Sequence, residues 1–250
     1  MSSSEPTLTS ELASKLRGAM ARIVGKAPRV TVLYSGGVDS SLVARAASEL
    51  TAVGLVSVGT QGSIDLAAAE SGSRLLNLPW TYRTVEQTDI RRLLLEDPKE
   101  WNRVRPVSRA VLVGTALAIE AASDSTLLCG QGADELFLGY AHYEDLSATK
   151  AADRREQDIE ALLGDTWPRS VELAKQRGRL LRSPFVEPEF LHCARGISID
   201  QLRAGGGRKP LLRSLAREML VPEPLAARPK KAFQYGSGID RLLRSFPAGG

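Results

Sequence analysis

Leu8, Leu12, Leu16, Ala19 and Ile23 recur at steps of four, four, three and four residues, the spacing of one apolar helix face, and Gly25 marks its end. Such a helix lies on the flank of a domain. The run Arg29-Val-Thr-Val-Leu-Tyr34 is short, apolar and β-branched, as expected of a strand buried on both faces of a parallel sheet. Ser35-Gly36-Gly37 interrupts it, and Val38, Leu42, Val43, Ala46, Ala47 and Leu50 resume helical spacing. Residues 52–58 predict a second strand, 64–76 a further helix and 80–85 a third strand. The order β-α-β-α-β makes the sheet parallel, because crossovers between parallel strands are right-handed.

A charged helical segment follows over 89–101, then a stretch apolar nearly all round, 107–122, which predicts a buried helix. Residues 125–129 predict a fourth strand. It runs into Gly130-Gln131-Gly132-Ala133-Asp134-Glu135, a second glycine-punctuated turn that opens a short helix toward Tyr140. Beyond Lys150 the pattern becomes charged and irregular, with helical patches at 151–164 and 168–177, a proline-bounded stretch at 183–188 and the run Gly205-Gly206-Gly207. No internal repeat is present. The reading is a single α/β domain over 1–250, with a Rossmann-like parallel sheet of about five strands and flanking helices. Residues 1–147 form its core, and a helical, basic part at 148–250 wraps the sheet and completes the site.

Composition narrows the class without changing this picture. Among 250 residues, 43% are hydrophobic and 25% charged, which excludes disorder and fibrous architecture for most of the chain. An aromatic share of 5% requires an aliphatic core. The longest apolar stretch, 111–119, stops at Glu120, far short of the roughly 20 residues that span a bilayer. Residues 1–6 carry neither a positive segment nor an apolar one, so a cytoplasmic location is expected. Two cysteines and two histidines are too few for a disulfide framework or a closed zinc site. Net charge is +4, unevenly spread: residues 200–245 hold ten basic side chains against four acidic ones, leaving the rest of the chain negative by two. Such a block is either a solvated face or a surface for a phosphate-bearing ligand or RNA.

The two glycine turns carry the chemistry. Ser35, Gly36, Gly37, Asp39, Ser40 and Ser41 lie between a strand and a helix, where free N–H groups and the helix dipole favour an anion. Glycines let the backbone close on phosphate oxygens, and serine hydroxyls add donors. There is no lysine at the Walker position, so this is not a Walker loop. In an open parallel sheet, ligands sit beyond the carboxyl ends of strands where the strand order reverses. With strands one and four at that point, the Ser35 loop and the loop of Gly130 and Gly132 face each other, and Asp39 and Asp134 both enter the crevice. Two carboxylates beside a triphosphate require a bridging cation, and Mg²⁺ suits oxygen ligands. The adenine is expected near the end of the second strand, around Val56 to Gly59.

Ser35-Gly-Gly-Val-Asp-Ser-Ser41 and Leu128-Cys-Gly-Gln-Gly-Ala-Asp-Glu-Leu-Phe-Leu-Gly-Tyr140, about 90 residues apart, resemble the synthetase half of asparagine synthetase, within the PP-loop ATP pyrophosphatase superfamily. Arg182-Ser-Pro-Phe185, Arg208-Lys-Pro-Leu-Leu-Arg213 and Arg228-Pro-Lys-Lys-Ala-Phe233 extend the similarity over nearly the whole chain. The resemblance implies an adenine nucleotide alpha hydrolase-like fold and a first loop that holds the pyrophosphate portion of ATP. It also implies Mg²⁺ on Asp39 and Asp134, and a lysine, Lys230 or Lys231, that stabilises the intermediates. Lys230 is favoured because it follows Arg-Pro. The implied reaction is attack of a small carboxylate on the α-phosphorus of ATP, followed by displacement of AMP by an amine.

Three departures qualify the likeness. Relatives usually carry an N-terminal glutaminase domain with a nucleophilic cysteine, for which this sequence has no room. Nitrogen is then expected from free ammonia, another amine or a separate amidotransferase subunit. Gln131 stands where asparagine synthetases have glutamate and β-lactam synthetases have tyrosine, and an amide is no general base. Leu180 stands where a glutamate normally precedes the arginine matching Arg182. The leading expectation is therefore an AMP-forming carbon-nitrogen ligase. The alternatives are a PP-loop enzyme that adenylates tRNA, with the basic segment on the nucleic acid, and a nucleotide-binding protein without turnover.

Overall fold

A computed structural model describes residues 7–97, 101, 103–229 and 236–245. The strands are Arg29–Leu33 (β1), Ala52–Gly59 (β2), Trp80–Thr84 (β3), Thr126–Leu128 (β4) and Leu180–Arg182 (β5). They form one all-parallel sheet of order β3-β2-β1-β4-β5, the α/β architecture the apolar runs imply. Four strands coincide with those runs to within a residue or two. The fifth is not located by pattern, since three residues cannot display a period; its pairing of Leu127 with Leu181 and Leu128 with Arg182 comes from the fold.

The helices Leu8–Val24 (α1), Val38–Ser48 (α2) and Ile64–Leu76 (α3) begin and end where spacing and glycines place them. Thr7 caps α1 by accepting the Ser10 N–H, and Ser63 caps α3 by accepting that of Leu66. The charged segment contains the helix Gln87–Glu96 (α4), its residues 98–100 lie outside the described residues, and the apolar stretch becomes Pro106–Ala121 (α5). After the short helix Ala133–Leu136 (α6), the two expected patches join into one rod: Ala148–Ala161 (α7), a π turn at Leu162–Thr166, then Trp167–Gln176 (α8). Helices Pro188–Arg195 (α9), Ile199–Arg203 (α10) and Pro210–Glu218 (α11) follow.

Alternation along the strands divides the core into two layers. Val30, Val32, Val53 and Leu55 pack with Leu42 and Val43 of α2 and Leu12, Leu16 and Met20 of α1. On the other face, Val56, Leu127 and Leu181 pack with Ile119 of α5 and Ala174 of α8. Each such aliphatic side chain contributes about 1.5–3 kcal/mol on burial. The chain runs outward from β1 to β2 and β3, then returns to place β4 on the opposite side of β1. The reversal between β1 and β4 opens the crevice at their carboxyl ends. Among the described residues, no helix is long and apolar enough to cross a membrane.

Candidate functional site

Gly36 sets the first loop. It has φ +72, and a β-carbon there would lie 2.6 Å from the Ala68 carbonyl carbon of α3, so only glycine lets the loop lie on that helix. Its carbonyl accepts a hydrogen bond from Arg228 at 2.9 Å. Gly37 is the N-cap of α2 and offers no side-chain cap, which leaves the first-turn N–H groups facing the crevice side of the turn. The Ser35 N–H donates to Ser40 Oγ at 3.3 Å, and Ser41, fully buried, shares a hydrogen bond of 3.1 Å with the Tyr34 hydroxyl.

The second loop is an extension of β4. The Cys129 N–H continues the ladder to the Arg182 carbonyl at 3.0 Å, and Ser183 Oγ donates to the Gln131 carbonyl at 2.6 Å. Gly132 has φ +98 and lies against Phe185. The Arg182-Ser-Pro-Phe stretch thus buttresses the loop from behind. Across the crevice, a β-carbon on Gly130 would stand 3.0 Å from Asp39 Cβ, so the two loops touch.

Asp39 and Asp134 converge on one atom. Lys209 Nζ lies 2.6 Å from both oxygens of Asp39 and 2.5 Å from Asp134 Oδ1. Lys209 is the fully buried N-cap of α11, with φ +54. A buried lysine requires such pairing. Burial alone lowers its pKa, but the charges of Asp134 and Asp39 outweigh burial and hold the ammonium above its ordinary range. The donor set fits a small divalent cation: two carboxylates already meet at a cationic point, and Mg²⁺ commonly takes one or two carboxylates with phosphate and water completing its shell. Among the described residues no group of three His, Cys, Asp or Glu could hold a metal without such help.

The crevice encloses a cavity of about 290 Å³. Its polar lining includes Ser35, Asp39, Ser40, Gly130, Gln131 and Asp134. Its apolar lining comes from Leu33, Val56 and Val58 on the strands and from Val111 and Ala118 on the face of α5 that also presents Thr115. Glu135 and Tyr140 also border it, and the Tyr140 hydroxyl donates to Glu135 Oε1 at 2.5 Å. Burial, then the neighbouring Asp134 charge, push the Glu135 carboxyl up to about 7. Gln131 Nε2 donates to Ser170 Oγ at 3.1 Å, and Ser170 Oγ donates to the Thr166 carbonyl at 2.9 Å. Gln131 Oε1 is buried with no hydrogen-bond partner among the described residues.

Of the residues singled out by sequence, Ser35, Asp39, Ser40, Val56, Gly130, Gln131, Gly132 and Asp134 line this cavity. Gly36, Gly37 and Ser41 stand behind it as loop supports, and Gly59, whose carbonyl accepts the Val85 N–H, packs against Ser63 and the Ser237 carbonyl. Val58 takes the lining position beside Val56. Lys230 and Lys231 lie outside the described residues. Leu180 is 43% exposed and borders a separate cleft with Arg29, Asp124 and Arg182 at the amino ends of the strands, so the glutamate-to-leucine departure does not touch the cavity. Lys209, Ser170 and the π turn are missed by sequence reasoning. The Arg208-Lys-Pro-Leu-Leu-Arg213 likeness contains Lys209 but assigns it no role.

The chain matches the asparagine synthase family model over residues 11–181 and again over 158–246. A Methanocaldococcus jannaschii relative, provisionally named glutamine-hydrolysing asparagine synthetase, is 29% identical over 267 residues, covering 91% of this chain and 49% of its own. Asparagine synthetase B of Escherichia coli is 26% identical over 237 residues, covering 84% of this chain and 42% of its own. The chain spans about half the length of these curated relatives or less. In fold it is similar to NMN synthetase from Francisella tularensis, with a TM-score of 0.51 and 12% identity over 95% of this chain and 86% of that one. The family model's match along nearly the whole sequence, with the two glycine loops brought together at the reversal of a parallel sheet, establishes that the chain belongs to the asparagine synthase family.

Proposed function

We propose that the chain is an ATP-dependent, AMP-forming ligase that adenylates a small carboxylate and passes the acyl group to ammonia or another amine. The observation that carries this reading is the meeting of Asp39 and Asp134 between the two glycine loops, at the mouth of a cavity with an apolar wall. The adenine rests against Val56 and Val58, and the phosphates lie along Ser35 to Ser41. Asp39 and Asp134 would hold Mg²⁺, which would supply positive charge against the departing pyrophosphate. The chain's own part is to fix N–H donors and a cation where that charge appears, which lowers the barrier without reorganisation. Lys230 is proposed as the transition-state cation, with Lys231 as the alternative in register. The flanking residues are anchored at the site, Arg228 on the Gly36 carbonyl and Ser237 through its carbonyl on the Thr60 N–H.

Nitrogen comes from outside the chain's own cysteines. Cys129 lines the cavity, but burial pushes its thiol up to about 12, and Cys193 is also raised by burial, so neither is a ready thiolate nucleophile. The nucleic-acid alternative loses its motive. Of the ten basic residues at 200–245, seven are spent within the protein: Arg203 on the Tyr143 and Leu146 carbonyls, Arg208 on Glu144, Lys209 as described, Arg213 on carbonyls, Arg217 on Glu223, Arg228 on Gly36 and Arg244 on Asp240. The deciding experiment is carboxylate-dependent exchange of labelled pyrophosphate into ATP across a panel of small acids. Exchange with one acid supports adenylation, and exchange with none, by protein that binds ATP, favours a nucleotide-binding protein without turnover.

A further inference from the structure

The place where a divalent cation would sit between Asp39 and Asp134 is held by the chain's own cation. Lys209 Nζ is within 2.6 Å of three carboxylate oxygens, from residues 170 and 75 positions away in sequence, and its side chain is 1% exposed. The passage it occupies exists because residue 139 is glycine: a β-carbon there would lie 2.3 Å from Lys209 Cε and 2.0 Å from Asp134 Oδ1. Two carboxylates and one ammonium leave a single negative charge. That is too little to draw a divalent cation onto the same oxygens against the ammonium's repulsion at contact distance.

We propose that Lys209 is the resident counter-ion of this site, so that metal alone is excluded and enters only with a polyphosphate that brings its own negative charge. This rests on reading the crevice as an ATP site and adds an order to it: the phosphate chain supplies the oxygens that share Lys209 with Asp39 and Asp134, and the carboxylates thereby become available to the metal. Removing the ammonium should convert a site closed to bare metal into an open one, because the two half-buried carboxylates would lose the cation they share. The favourable coupling between metal and nucleotide is reciprocal by linkage.

Mn²⁺ without nucleotide is the probe, read as loss of the free-ion electron paramagnetic resonance signal. Wild-type protein is expected to bind none below about 1 mM, and Lys209→Met to bind one ion at least about tenfold more tightly. Lys209→Met combined with Asp39→Asn should lose the gain. Binding of Mn²⁺ by the wild type as tightly as by Lys209→Met overturns the proposal, as does a variant that binds no better than wild type, or a gain that survives Asp39→Asn. Should Lys209→Met lose its circular dichroism spectrum, Lys209→Gln, which keeps a hydrogen-bond donor on a side chain one atom shorter, takes its place. Calorimetry with an ATP analogue and Mg²⁺ separates this from the ligase reading: no nucleotide binding sinks that reading, while the Mn²⁺ titrations still judge Lys209.

Discussion

A hydroxyl with one proton decides which way Gln131 points. Ser170 gives its proton to the Thr166 carbonyl, so toward Gln131 it can only accept, and the amide must present Nε2 to it. Oε1 is then left as a buried acceptor at the cavity, suited to a ligand N–H rather than to a carbonyl. Gln131→Ala should spare pyrophosphate exchange but slow amide release, and Ser170→Ala should raise KM for the amine while leaving exchange intact. Equal damage to both half-reactions would place Gln131 among the ATP contacts instead. Asp39→Asn should weaken Mg-ATP binding at least about tenfold by calorimetry, more than 1.4 kcal/mol. For Lys230→Ala, ATP affinity should stay within a few fold while turnover falls about a hundredfold, the mark of an interaction made in the transition state. The same pattern in Lys231→Ala would move the role by one residue. Asp39, Asp134 and Gln131 are legible in the sequence because each sits in a local motif. Lys209 also lies in such a stretch, but its role is not legible there, because what gives it meaning is a partner 170 residues away.

At the scale of elements, the legible parts are those long enough to display a run or a period. The strands β1 and β2 are buried on both faces and read as unbroken apolar runs, while α1 and α3 carry one apolar stripe each. By contrast, β5 owes its state to the neighbouring β4, and the π turn at 162–166 has no period of its own. That turn is where an insertion in the helical ladder re-aims side chains, and it brings Leu162 and Thr166 to the cavity wall. The Ser35 loop shows the opposite case, in which one residue carries an element contact. Gly36→Ala would put a β-carbon into the backbone of α3 at a positive φ. Strain of about 1–3 kcal/mol plus the clash should lower stability by at least about 3 kcal/mol in urea unfolding, with ATP binding lost in parallel.

Over the whole molecule, charge is used as fastening. Arg155 is buried and donates to the carbonyls of Leu136, Ala194, Arg195 and Ile197, which joins α6, α7 and the end of α9; Arg155→Met should cost about 3–5 kcal/mol by stranding those acceptors. On the far face, Glu120 of α5 receives Arg83, Arg92 and Arg177 from three elements. Burial alone would raise its pKa, but the hydrogen bonds from Arg92, Arg83 and Arg177 outweigh it and hold the carboxyl below its ordinary value. Its contribution is therefore present above the unfolded pKa and is lost as pH falls through the folded one. Glu120→Gln should be about 1–2 kcal/mol less stable than wild type at pH 7, and the gap should close as pH falls below the ordinary glutamate range. The order of synthesis gives the Lys209 contact another meaning. Asp39 and Asp134 are synthesised 170 and 75 residues before Lys209, so both carboxylates exist in the nascent chain before the lysine that pairs them in the fold. Until translation passes that codon, the crevice has to be kept open by water and free ions, so its closure belongs to the late, C-terminal stage of folding.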